Sequence, residues 1–115
     1  ALRRAGEFIQ PETIESIIAT HPDVNDICVF GIPSDSGAPG ESDVVAAILP
    51  VNGKPLDIPS LVQYCRENLE GNSVPSYYQV VEKLPKTISE KNMDRLLRIE
   101  FRPDAENVFY IKEYL

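Results

Sequence analysis

Apolar residues recur along this chain with two different periods. Ile14, Ile17 and Ile18 fall at i, i+3 and i+4, which is one face of a helix. Pro11 suits the first turn of that helix, where its missing N–H costs nothing. His21-Pro22 ends it, because the residue before a proline is pushed out of the helical region. Ile27 to Ile32 is β-branched and apolar and predicts a strand. Residues 33–41, with Ser34, Asp35, Ser36, Gly37, Pro39 and Gly40, predict a loop. Residues 44–49 run Val-Val-Ala-Ala-Ile-Leu without a polar break, the pattern of a central strand covered on both faces. A turn at Asn52-Gly53 follows.

A second helix is predicted from the stripe Leu61, Val62, Cys65 and Leu69, with Asp57 or Ser60 as its cap and Gly71-Asn72 as its stop. Tyr77 to Val81 predicts a further strand, and Met93, Leu96, Leu97 and Phe101 a last helix, closed by Arg102-Pro103. The first residues, Arg3 to Ile9, read as a short extended segment. The tail from Asp104 carries Val108, Phe109, Tyr110, Ile111, Tyr114 and Leu115, and is expected to dock on the core or on a partner surface. The two adjacent strands around the 33–41 loop predict an antiparallel pair. The whole reads as an α+β domain in two or three layers, with a small mixed or antiparallel sheet flanked by about three helices.

Composition changes this picture little. The chain has 115 residues, 43% hydrophobic and 25% charged, enough for one ordinary folded domain. Its 11 basic and 18 acidic residues give a net charge of −7, which argues against a nucleic-acid-binding role. No run of 18 apolar residues is present, so no membrane span is expected. Cys28 and Cys65 both fall in apolar patterns and read as reduced, buried thiols, consistent with a cytoplasmic setting. A single histidine, His21, leaves little for a metal site, and none is assigned.

Two segments stand apart chemically. Residues 3–15 read Arg-Arg-Ala-Gly-Glu-Phe-Ile-Gln-Pro-Glu-Thr-Ile-Glu, and residues 84–91 read Leu-Pro-Lys-Thr-Ile-Ser-Glu-Lys. A lysine in a Pro-Lys-Thr turn before a helix is placed to reach outward and offset phosphoryl or carboxylate charge. The plainer reading is a solvated lysine at a helix start. Gly37-Ala38-Pro39-Gly40 lacks the lysine and the following helix of a phosphate-binding loop.

Taken together, these pieces resemble the C-terminal domain of the adenylate-forming (AMP-binding) acyl-CoA synthetase superfamily. The resemblance covers residues 1 to about 102, leaving 104–115 as a tail beyond a mobile domain of 1–103. It rests on Arg-Arg-Ala-Gly-Glu-Phe-Ile-Gln-Pro with Ile14-Glu15, similar to the loop and β-hairpin that open that domain. It rests also on His21-Pro22-Asp23-Val24-Asn25-Asp26-Ile27-Cys28-Val29-Phe30-Gly31-Ile32-Pro33, on Gly40-Glu41 with its following strand, and on Pro85-Lys86-Thr87-Ile88-Ser89-Glu90-Lys91. The order and spacing of the four are what make it specific.

The resemblance implies an acid–thiol ligase of the kind used in fatty acid metabolism. A carboxylic acid attacks ATP to give an acyl-adenylate and pyrophosphate, and coenzyme A then displaces AMP. ATP with Mg2+ and the acid would be held mainly by a large N-terminal domain, against which the small domain swings. Lys91 would be the catalytic residue of adenylation. Gly6 would face the pantetheine channel, where the absence of a side chain admits a thin arm. Glu7, Arg3 and Arg4 would lie beside it, Glu7 equally readable as a hairpin residue pairing with an arginine. The arginines would steady the domain interface or a CoA phosphate, with at least one facing solvent. The hinge falls just upstream of Ala1, so the chain is expected to be one part of a longer enzyme and inactive alone. Glu90 departs from the family's usual glycine and could pair with Lys91. The alternative is a non-catalytic interaction domain of the same fold, with Phe109, Tyr110 and Tyr114 as an exposed binding edge.

Overall fold

The computed structural model describes residues 2–4, 6–34, 40–53, 55–84 and 90–114. A two-stranded hairpin of β1 (Leu2–Arg4) and β2 (Glu7–Ile9) opens the chain and leads into α1 (Pro11–Ile18). Then come β3 (Val24–Pro33), β4 (Ser42–Pro50), α2 (Ile58–Asn68), β5 (Tyr77–Val80), α3 (Glu90–Glu100) and β6 (Val108–Tyr110). The main sheet has the order β3-β4-β5-β6. β3 and β4 are antiparallel, as expected of two strands joined by a loop, β4 and β5 are parallel, and β5 and β6 are antiparallel. The parallel pair needs a crossover, and α2 supplies it.

Side chains on β4 alternate between two cores. Val44, Ala46 and Ile48 join Ile14, Ile18, Leu61, Cys65 and Tyr78 beneath α1 and α2. Val45 and Ala47 join Phe30, Tyr77, Met93, Leu97 and Phe101 beneath α3. The molecule therefore has three layers, α1 and α2, the sheet, and α3. This explains the unbroken apolar run of β4, since neither of its faces meets water.

The helix ends follow their local chemistry. Asp57 caps α2 by accepting the Ser60 N–H at 3.2 Å. Arg102 donates to the Ile99 and Phe101 carbonyls at the end of α3. Ring edges of Phe30 and Tyr77 then meet Phe101, which is buried just beyond the helix. Leu96, one of the apolar residues that predict this helix, is 38% exposed. Met93, Leu97 and Phe101, spaced by four, take the sheet-facing stripe and turn Leu96 to its flank.

The tail docks on the core. β6 completes the sheet against β5, and the Asn107 amide donates to the Val80 carbonyl at 2.7 Å. Phe109 and Tyr114 pack on the first core, and Tyr110 on the second, stacked on Tyr77. These aromatics are half-buried, which corrects the expectation of an exposed aromatic edge. Both cysteines are free and buried, as expected. No helix among the described residues is long and apolar enough to cross a membrane, and the described residues hold no cluster of three or more metal-ligating side chains.

Candidate functional site

The hairpin pairs Arg4 with Glu7, Arg3 with Phe8 and Leu2 with Ile9, with Gly6 at its turn. Ile9 is buried in the α1/α2 core and anchors the hairpin to the body, while Glu7 and Phe8 face outward, Phe8 at 77% exposure. Gly6 holds φ +81°, a conformation that side-chain-bearing residues rarely adopt. A Cβ placed on it meets nothing within 4 Å, so the tip is open on that side.

One carboxylate reaches this tip from the far side of the sequence. Glu41 Oε1 accepts the Gly6 N–H at 3.2 Å. Its Oε2 lies 3.2 Å from Arg3 Nε as an ion pair. Sequence reasoning gave Glu41 no role. Gly40-Glu41 was legible only as part of a motif, and nothing local announces a partner 35 residues away.

The second candidate region is the start of α3. Lys91 lies in the first turn of that helix. Its side chain lies outside the described residues, as do residues 85–89, Ala5, and the side chains of Arg4 and Glu90. A cation in the first turn sits at the positive end of the helix dipole, against the local preference by a few tenths of a kcal/mol. The two regions occupy different parts of the body. The hairpin belongs to the α1/α2 layer and adjoins the start of β4 at Glu41. α3 covers the opposite face and is entered after the chain leaves β5 beside Ile48, toward the other end of β4.

The AMP-binding enzyme C-terminal domain model matches residues 13–91, from the third position of α1 to Lys91. The chain belongs to this family. The oxalate–CoA ligase of Arabidopsis thaliana is 31% identical over 100 residues, covering 87% of this chain and 19% of that protein. A long-chain-fatty-acid–CoA ligase of Escherichia coli is 34% identical over 102 residues, covering 88% and 17%. Among solved structures, coronafacic acid ligase from Pectobacterium brasiliense superposes with a TM-score of 0.75 at 25% identity, covering 95% of this chain and 21% of that one. The chain thus spans about a fifth of the length of the relatives it matches. The oxalate and long-chain-fatty-acid relatives are CoA ligases of the adenylate-forming superfamily, and this chain corresponds to their C-terminal part. The family match begins at Thr13, so the hairpin lies ahead of it.

Proposed function

We propose that this domain is the moving lid of an ATP-dependent acyl-CoA ligase, presenting Lys91 for adenylation and the Gly6 tip for thioester formation. The reading is supported above all by the separation of the two regions onto opposite layers of one sheet. A rigid body of this shape meets a single catalytic centre with one of them at a time. An N-terminal domain of the same polypeptide is the partner, and it holds ATP with Mg2+ and the carboxylic acid. The acid is therefore chosen outside this chain. The setting is cytoplasmic, and this domain alone turns nothing over.

The roles follow from simple chemistry. An ammonium at Lys91 orients the attacking carboxylate and offsets charge developing on the α-phosphoryl oxygens. At the other end, Gly6 lets backbone approach the pantetheine arm, with Glu7, Arg3 and Arg4 on the flanking strands. Arg3 is already engaged by Glu41, so it steadies the tip rather than grips a phosphate.

A crossed pattern of half-reactions tests this in the full-length polypeptide. Lys91→Ala is expected to cut acid-dependent pyrophosphate release by about 10²–10³-fold, the usual loss on removing one charge-stabilising donor. It should leave CoA-dependent consumption of preformed acyl-adenylate nearly intact. Gly6→Val should do the reverse. Equal losses in both half-reactions, with folding intact, would overturn the assignment. An immunoblot for the native polypeptide gives a prior check, with a band several times heavier than 12.8 kDa expected.

A further inference from the structure

We infer that Glu41 is the positioning residue that holds the Gly6 tip in register for the thioester-forming step. The inference rests on the reading of that tip as the CoA-facing element. A hairpin of two three-residue strands is marginal alone. Its turn contains a glycine at φ +81°, free to move wherever nothing holds it. Glu41 supplies the hold with both oxygens, Oε1 on the Gly6 N–H and Oε2 against Arg3 Nε of β1, each at 3.2 Å. The Gly6 bond, with a charged acceptor, belongs to the stronger class, and the Arg3 contact adds an ion pair without a hydrogen bond.

Glu41 is itself fixed to the sheet. Its backbone carbonyl accepts the Ser34 N–H at 3.0 Å, closing the β3–β4 pair, and β4 begins at the next residue. Gly40, at φ +78°, turns the chain immediately before it. Its side chain is only 18% exposed, whereas Gly6 and Glu7 are exposed. Glu41 therefore ties the turn itself to the central strand, while Ile9 anchors the base of the hairpin. Displacement of a reacting geometry by about 1 Å costs as much as 10²-fold in rate, so a swinging tip must arrive already shaped. Oε1 is held by the Gly6 N–H and Oε2 is buried beside Arg3 of β1, so Glu41 acts through Gly6 rather than on the coenzyme.

Two measurements test this. In the 115-residue chain, the Gly6 amide should exchange with solvent at least tenfold faster in Glu41→Ala than in the parent, and an unchanged rate would overturn the clip. In the full-length polypeptide, Glu41→Ala should lower thioester formation from preformed acyl-adenylate about tenfold, or raise the KM for CoA by as much, while pyrophosphate release stays within twofold. Glu41→Gln, which keeps an oxygen for the Gly6 N–H, should recover at least half of the loss. A general folding role would depress both half-reactions together and so sinks the proposal. Gly6→Val separates the two levels of argument. If it impairs thioester formation and Glu41→Ala does not, the positioning role fails while the CoA-facing tip stands. If Gly6→Val itself leaves thioester formation intact, the CoA-facing reading fails and takes this role with it.

Discussion

A buried pair, Cys65 on α2 and Tyr78 on β5, shows how the core sets the chemistry of single groups. Burial pushes the Cys65 thiol from 9.0 up to about 11, partly offset by the neighbouring Tyr78 hydroxyl. The Tyr78 hydroxyl is driven upward as well, first by its own burial and then by the neighbouring thiol. Both groups thus bind their protons more tightly when folded than when unfolded. Their contribution is fully present below the unfolded pKa and is lost as pH rises through the folded one. Stability should fall from about pH 9 upward, and Cys65→Ala should flatten that part of the profile. Two pKa units correspond to roughly 3 kcal/mol at most. Urea unfolding at pH 8, 9, 10 and 11 measures it, and a profile identical in parent and variant would refute the linkage. At pH 8 neither thiol should react with a disulfide reagent until the chain unfolds.

Strand β3 is ten residues long and lies at the edge of the sheet, which invites pairing with another chain. Glu15 on α1 reaches over and accepts the Val29 N–H at 2.7 Å, placing a charge on that edge. Glu15→Ala should cost about 1.5–3 kcal/mol, the usual worth of a hydrogen bond to a charged group. The loss is read as a lower denaturation midpoint, and faster aggregation is expected with it. Legibility in the sequence also divides by element. β3, β4, α1, α2 and α3 are each legible because three or more apolar residues fall on one helical stripe or in one apolar run. β6 is not, since three residues carry no period and their partner β5 lies 28 residues back. The facing of Leu96 was not legible, because a stripe spaced by three and one spaced by four are both helical and only the packed sheet chooses between them. The hairpin and Lys91 were singled out through motifs, whereas the Glu41 contact depends on a fold that brings residues 6 and 41 together.

At the scale of the whole molecule, three layers depend on a sheet that the tail completes. Removing residues 104–115 strips Val108, Phe109, Tyr110, Ile111 and Tyr114 from both cores and leaves β5 with one side unpaired. Full burial of a large apolar side chain contributes about 1.5–3 kcal/mol, and several half-buried ones are lost at once. The truncated domain should lose about 3 kcal/mol or more, seen as a lower melting temperature and dye binding to exposed apolar surface. A melting curve matching that of the parent would show that the tail adds nothing to the body. The same scale governs the proposed catalytic cycle, because the Gly6 tip and the start of α3 belong to opposite layers and move only together.

The late position of β6 also has a consequence for synthesis. β5 is complete at Val80, but its second neighbour begins at Val108. At about 5–20 residues per second, the ribosome takes roughly 1 to 5 s to make the 27 residues that separate them. During that interval the nascent sheet holds three of its four strands, with Tyr77 and Tyr78 not yet covered by their cross-strand partners. Chaperone engagement and the hazard of pairing with a neighbouring nascent chain are concentrated in those few seconds, and they end when Val108–Tyr110 emerges from the exit tunnel.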